Sequence, residues 1–339
     1  MKIIVDAMGG DNAPHDIVLG AINAIKEFGC KIILVGDMEK VKQILDDHLT
    51  GNDLSSSIEI IHTTEIIEIE EDPASVIRQK KDSSMVVALN LLKDGMGDAL
   101  ISAGSTGALL SGATLIVKRV RGIRRAALAP FIPNSKNGFI LIDCGANSEC
   151  TPEYLLQFAY MGSYYAQDTL SINKPIVGLL NNGIEPNKGT ELQTETYKLL
   201  KDAAVNGMLN FVGNVEPTEV MKGACDVLVC DGYTGNIFLK SIEGTAKLIM
   251  SELKIAFYTN FITKISALLM KKQLSALKNK MSAETYGGTA LLGISKPVIK
   301  AHGSSSAVAI TAAINQAIKA ATVNTAARLG DNIEKMKLN

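Results

Sequence analysis

Residues 226–244 read DVLVCDGYTGNIFLKSIEG, and the change of character inside this stretch sets the architecture. Val227-Leu228-Val229-Cys230 is an apolar run that reads as a buried strand. Asp231-Gly232 stops it, Gly235 precedes Asn236, and a helical pattern carrying Lys240 begins at once. A buried strand that enters a small-residue turn and then a helix leaves main-chain N–H groups unpaired at the helix start. Such a turn can hold an anion such as phosphate. The design recurs at Asp6-Ala-Met-Gly-Gly-Asp11, at Ser102-Ala-Gly-Ser-Thr-Gly107 and at Asp143-Cys-Gly-Ala-Asn147. Four such turns predict an α/β enzyme with a site built at strand ends.

Outward from that stretch the alternation continues. Lys2–Asp6 and Lys31–Val35 read as short buried strands around a helix at Asp16–Phe28, with Pro14 in its first turn. A helix near Met38–Asp47, a strand at Ile58–Ile61, helices over Pro73–Lys93, a strand at Ala99–Ser102 and a helix at Thr106–Lys118 follow. Next come strands near Ala127–Ile132 and Phe139–Asp143, a helix at Pro152–Gln167 and a strand at Ile176–Leu180. Thr190-x-x-Gln193 is a capping-box pattern that opens a helix to Leu200. Strands at Phe211–Val212, Val227–Cys230 and Val298–Ala301 and a small-residue helix at Ser305–Leu329 complete the pattern. Such alternation implies parallel pairing with right-handed crossovers. With no linker, low-complexity tract or fixed-period repeat, residues 1–339 are expected to form a single intertwined unit.

The formal net charge of −1 gives no basic field that would point to nucleic acid. MKIIVDAMGG has one Lys and only a short apolar run before Asp6, unlike a signal peptide, and no stretch approaches the roughly 20 apolar residues of a bilayer span. A soluble, cytoplasmic protein is expected. Cys30, Cys144, Cys150, Cys225 and Cys230 form no C-x-x-C pair, and no His lies at ligand spacing from another ligand type. Reduced thiols, no metal and no cofactor are the expectation.

Residues 245–281 stand apart as a basic amphipathic helical insertion, expected to protrude. Within 247–280 lie seven Lys against a single acid, Glu252. On one continuous helix Ile255, Tyr258, Ile262, Ile265 and Leu269 form an apolar stripe that Phe257, Phe261 and Leu268 widen, with Lys264, Lys271 and Lys278 on the opposite flank. The stripe suits packing on the core or on a partner subunit, and equally a surface helix touching acidic lipid or an acidic protein.

The candidate site residues sit on the turns. Gly104, Ser105, Thr106 and Gly107 offer N–H groups and hydroxyls to phosphate. Without G-x-x-x-x-G-K-[ST], or G-x-G-x-x-G after a strand, nucleotide binding is not supported. Asp6 and Asp11 flank Gly9 and Gly10; a carboxylate repels an anion, so these two are expected to bond backbone or a cation. Asn147 is a donor or a turn stabiliser, and Lys188 ends a polar loop directly after a strand. Lys240 shares a helix face with Asn236. His302 is a candidate acid/base, and Ser304 is expected to cap the last helix and is a candidate phosphate ligand. G-x-S-x-G is absent, so a Ser-His-Asp hydrolase is not indicated.

Taken together, VDAMGGDNAP (5–14), SAGSTGAL (102–109), LIDCGAN (141–147), QFAYMGSYYA (157–166), GLLNNGIEPNKGTE (178–191), FVGNVEP (211–217), DVLVCDGYTGNIFLKSIEG (226–244), YGGTALLGI (286–294) and HGSS (302–305) resemble the bacterial phosphate acyltransferase (acyl-ACP:phosphate acyltransferase) family. Ser105 stands where the family usually has Asn, and Arg124-Arg125-Ala126-Ala127 varies its Arg-Pro pattern. The resemblance implies a three-layer α/β/α sandwich with a large mixed, mostly parallel sheet, like isocitrate and isopropylmalate dehydrogenases and phosphotransacetylases. It implies transfer of a long-chain acyl group from acyl carrier protein to inorganic phosphate for membrane lipid synthesis, by a homodimer at the inner face of the membrane. On that footing the turns and Lys188 hold phosphate, Asn236 or Asn147 donates to the oxyanion, Asp231 orients the donors and Lys240 adds positive potential. Phe257, Phe261, Lys264, Lys271, Lys272 and Lys278 face the acidic carrier or anionic lipid. Two other readings stay open: a phosphotransacetylase-like enzyme using coenzyme A thioesters, and a non-catalytic acyl- or carrier-binding scaffold.

Overall fold

The computed structural model describes residues 1–49, 55–281 and 287–336. Strands β1 (Lys2–Asp6), β2 (Lys31–Gly36), β3 (Ile58–His62), β4 (Ala99–Ser102), β5 (Ala127–Ala129), β6 (Phe131–Ile132), β7 (Phe139–Ile142), β8 (Ile176–Leu180), β9 (Asn210–Val215), β10 (Val227–Val229), β11 (Thr289–Leu292) and β12 (Val298–Lys300) are arranged in two sheets. The first runs β3-β2-β1-β4-β12-β11-β5 and the second β6-β7-β10-β8-β9. All pairs are parallel except β11 with both neighbours and β6 with β7.

The helices are α1 (His15–Phe28), α2 (Met38–His48), α3 (Pro73–Gln79), α4 (Ser84–Lys93), α5 (Thr106–Gly112), α6 (Pro152–Leu170), α7 (Glu191–Val205), α8 (Pro217–Met221), α9 (Gly232–Tyr258), α10 (Phe261–Leu269), α11 (Lys271–Met281), α12 (Ala307–Val323) and α13 (Thr325–Asp331). Side chains alternate across a strand, so β1 feeds two cores. Ile3 and Val5 pack with α1, α6 and α12, while Ile4 packs with α3, α4 and α5. Helices therefore cover both faces of mostly parallel sheets in a three-layer α/β/α fold.

The strand expected over Ala127–Ile132 divides at Pro130, which lacks an N–H, and its halves join different sheets. Pro130 still accepts from Leu141 N at 3.1 Å, so this stretch couples the two sheets. β11 was not anticipated: Thr289–Leu292 is a four-residue apolar run between glycines, too short for its alternation to show. The closing helix is shorter than expected and broken. Ser306 Oγ accepts from Ala309 N, so α12 starts at Ala307. Asn324, with φ 49°, ends α12 and its side chain starts α13.

The basic segment is three helices where one was expected. α9 stops at Tyr258, and Asn260 caps α10 by accepting from Thr263 N at 3.0 Å while Thr263 Oγ1 accepts from Asn260 N. A side chain that satisfies the orphan N–H groups of a new helix can end the old one without Gly or Pro. Ile255 and Tyr258 thus lie on α9, and Ile262, Ile265 and Leu269 lie on α10. Lys264 and Lys271 fall on different helices, so the shared flank is not formed; the side chain of Lys278 lies outside the described residues.

Candidate active site

Two clusters form where strands end. The first surrounds Asp143, after β7. Its Oδ1 accepts from Leu128 N (2.9 Å), Cys144 N (2.6 Å) and Ala146 N (3.3 Å), and its Oδ2 from Asn147 N (2.7 Å) and Asn147 Nδ2 (2.9 Å). Burial still pushes this carboxyl above the usual carboxylate range. The turn 143–147, read as an anion turn, therefore already closes on an internal carboxylate. Asn147 gives its other amide hydrogen to Ala126 O at 2.8 Å, so its side chain retains no donor for an oxyanion and serves the turn instead.

α9 seats on this turn through glycine. A Cβ on Gly235 would lie 2.0 Å from Asp143 O, and one on Gly232 would lie 2.7 Å from Asp143 Oδ2. Asp231 caps α9, accepting from Thr234 N (2.8 Å) and Thr234 Oγ1 (2.7 Å); its carboxylate holds the helix start rather than the neighbouring amides. Asn236 is half-buried beside Gly145 and has no hydrogen-bond partner among the described residues. Lys240, one turn on, is exposed, and its charge reaches Cys144. β8 neighbours β10, so the loop carrying Lys188 emerges beside this cluster, but Lys188 is exposed and the main-chain bonds around it, to Glu185 O and from Asn181 Nδ2, stay within its own loop.

The second cluster gathers the ends of the adjacent strands β1, β4 and β12. Buried Asp6 accepts from Ser102 Oγ at 2.6 Å and from Met8 N at 3.3 Å. Gly9 lies against Gly104, where a Cβ would meet Gly104 N at 2.6 Å, and Gly10 (φ +103°) lies against Gly303 O. Asp11 is exposed, and its N–H donates to Gly303 O at 2.8 Å. Gly104 N donates to Ser102 Oγ at 3.1 Å, and Ser105 Oγ accepts from Ala108 N as the cap of α5. Thr106 and Gly107 stand in the first turn of α5, where N–H groups have no intrahelical acceptor.

Beneath this turn lies Lys300, the last residue of β12. It is buried, and its Nζ donates to Ala103 O at 3.3 Å and to Ala301 O. Burial lowers its pKa to about 8, against the pull of Asp6 and Asp11. Burial acts oppositely on Asp6, raising it, with Ser102, Ser84, Met8 and Lys300 drawing it back. Sequence reading passed over Lys300, although a lysine inside Val298-Ile-Lys-Ala301 was the available signal. Next to it, Ser304 does not cap α12, the role Ser306 takes: its Oγ pairs with His302 Nδ1 at 2.9 Å, and Nδ1 also accepts from Ser304 N at 3.3 Å.

α9 links the clusters. Seven residues beyond Asn236, about 10 Å along the helix axis, Glu243 begins the wall of a cavity of about 810 Å³ that His302, Ser304 and Ser305 border from the other side. Phe257 and Lys271, expected to face carrier or lipid, line this cavity. Phe261 points outward, 77% exposed, with Ile262, Leu268 and Leu269 also exposed. Lys264 and Lys272 are both exposed. Burial raises the thiols of Cys144, Cys150 and Cys225 to about 12 and Cys230 well above its ordinary value, so these groups stay protonated near neutral pH. Among the described residues no group of three or more His, Cys, Asp or Glu is placed to hold a metal ion, and no helix is long and apolar enough to cross a membrane.

The architecture matches that of phosphotransacetylases. The Streptococcus pyogenes phosphotransacetylase aligns with TM-score 0.61 at 20% identity, covering 95% of this chain and 94% of that one. A branched-chain phosphotransacylase from Enterococcus faecalis aligns with TM-score 0.56 at 16% identity, covering 95% and 99%. At these identities the likeness is one of fold. Sequence carries the assignment further: the family model described as fatty acid synthesis protein matches residues 1–328, and the chain belongs to that family. Its relatives include the phosphate acyltransferases of Clostridioides difficile (50% identical over 321 residues, 94% of this chain and 92% of that protein) and Alkaliphilus oremlandii (49% over 320 residues, 94% and 93%). The Bacillus cereus phosphate acyltransferase is 48% identical over 318 residues, 93% of each. The chain is an enzyme of this transferase class.

Proposed function

We propose that the chain transfers a long-chain acyl group from the thioester of acyl carrier protein to inorganic phosphate, releasing the carrier thiol and acyl phosphate. The observation that carries this reading is the turn Gly104–Gly107. It combines first-turn N–H groups with a buried lysine beneath it, and it stands beside the 302–305 turn that borders an apolar cavity. Ser105, Thr106, Gly107, Ser304 and Lys300 hold phosphate, with Lys188 and Lys240 adding positive potential at the rim. Phosphate is itself the nucleophile: one of its oxygens attacks the thioester carbonyl carbon, the C–S bond breaks, and the electron pair leaves on sulfur. A thiol of pKa about 8.5 needs little acid assistance as it departs. Asn236, the candidate amide whose side chain has no hydrogen-bond partner among the described residues, donates to the developing oxyanion. A bound phosphate held in register replaces a bimolecular encounter with a positioned one.

Two features of the surface support a carrier protein and a membrane as the enzyme's surroundings. Lys247, Lys254 and Lys271 ring the cavity and suit an acidic carrier. The outward apolar residues of α9 and α10, near further lysines, suit the interface of an anionic bilayer, to which a homodimer would present two such faces. The test is thiol release from hexadecanoyl carrier protein and from hexadecanoyl coenzyme A, each with and without phosphate. Release that needs phosphate and is faster with the carrier is expected. Preference for the coenzyme A ester would favour the phosphotransacetylase-like alternative, and binding without release would make the chain a scaffold.

A further inference from the structure

α9 carries a second apolar stripe that differs from the exposed one. Ala246, Met250, Leu253 and Phe257 recur at spacings of four, three and four residues, so they share one helical face. All four are half-buried, while Leu248 and Ile255 on other faces are about 60% exposed. The stripe has no core beneath it. It looks into the 810 Å³ cavity, closed on the far side by α11 through Leu274 and at one end by His302, Ser304 and Ser305. A volume of this size falls in the range of about 300–1,000 Å³ typical of small-molecule sites.

We propose that this cavity is the seat of the acyl chain, whose carboxyl end is held at the His302–Ser305 turn while its alkyl tail lies along the inner stripe of α9. The inference rests on the acyl-transfer reading and adds to it a named site for the chain. The two ends of the cavity differ in the way the substrate does. At one end the 302–305 turn emerges beside the Ser102–Gly107 turn, because Ala301 N bonds Ser102 O at 2.9 Å across neighbouring strands. Along the helices Ala246, Met250, Leu253, Phe257 and Leu274 supply the apolar lining, with Ser251, Ser275, three lysines and Glu243 between them. A soluble small substrate would leave that stripe wet; an alkyl chain removes it from water. The same helix also exposes Leu248, Ile249, Ile255 and Tyr258, so a chain can pass from this seat to a lipid surface without crossing the polar strand ends. Each methylene buried in the cavity tightens binding by about four-fold.

The test pairs binding with turnover. A dansyl-labelled undecanoic acid is titrated into the full chain without phosphate or thioester, and displaced by hexadecanoate and by octanoate. Separately, kcat/KM is measured for hexadecanoyl and octanoyl thioesters. The wild type is expected to bind the probe, release it to hexadecanoate at far lower concentration than to octanoate, and prefer the longer thioester. Leu253→Trp, which fills the cavity, should weaken probe binding at least ten-fold and lower the hexadecanoyl-to-octanoyl ratio by a similar factor. Met250→Trp serves if Leu253→Trp does not fold. Probe binding and chain-length ratio both unchanged in a folded variant would overturn the proposal. If neither thioester releases thiol in response to phosphate, the acyl-transfer reading fails, and probe displacement alone still decides whether an alkyl chain occupies the cavity.

Discussion

Asp143 and Lys300 are the two residues on which the strand-end turns depend, and they act in opposite ways. Asp143 fills its own turn: four main-chain N–H groups and the Asn147 amide point at one carboxylate. Asp143→Ala would orphan a donor from β5 and those of its own turn. A loss of at least about 3 kcal/mol in urea unfolding is expected; a loss below about 1 kcal/mol would mean that the turn closes without it. Lys300 places a buried cation under the Ser102–Gly107 turn, where the proposed function uses it for phosphate. Its pKa of about 8 lies below the ordinary lysine value of 10.5, so between these values the unfolded chain holds a proton that the folded chain lacks. From this group alone, stability rises with pH across that window. Ligand binding runs the other way, since the cation is lost above about pH 8. The phosphate KM should climb there, and Lys300→Met should raise it below pH 8 and flatten the climb. A variant that keeps the wild-type profile would separate Lys300 from phosphate. Asn236→Ala should lower kcat about 10²–10³-fold, as loss of one oxyanion donor does; wild-type turnover would remove Asn236 from the site. The sequence showed these turns as punctuation, glycine after an apolar run. It did not show which were already occupied, because the partner that completes Asp143, Leu128 N, comes from another strand.

At the scale of elements, most strands and helices were legible because each buries a short apolar run or one helical face. Legibility stopped where a side chain set the boundary. Asn260 ends α9 by capping α10, and the apolar residues recurring at helical spacing on both sides of Thr259-Asn260, with no Gly or Pro between, hid the break. The inner stripe of α9 was hidden for a related reason. A helix apolar on several faces does not declare which face meets the body of the protein, and the folding back of α11 decides that. Phe261→Glu should weaken co-sedimentation with anionic liposomes while leaving probe binding in the cavity intact, since Phe261 points away from it. Undiminished sedimentation would leave the outer face to a protein partner. At the start of the same helix, Gly235→Ala places a methyl against Asp143 O and should cost at least about 1–3 kcal/mol by overpacking. An unchanged melting temperature would contradict that close seat.

Over the whole molecule, two sheets joined at Pro130 turn the C-terminal ends of their parallel strands to the regions that α9 connects. The family and the α/β/α architecture were readable from motifs spread along the chain; the cavity was not, because its walls come from residues 243–275 and 287–309, brought together only by folding. The central claim is that phosphate attacks the thioester directly. The arrangement contains one rival, since Ser304 Oγ and His302 Nδ1 are within hydrogen-bonding distance, though among the described residues no carboxylate bonds the imidazole to orient it as a general base. The decisive measurement is acid quenching of the enzyme mixed with acyl-labelled carrier thioester in the absence of phosphate, followed by addition of phosphate. The account predicts no label on the protein and thiol release only after phosphate arrives. Label bound covalently to the chain, with thiol freed beforehand, would contradict it.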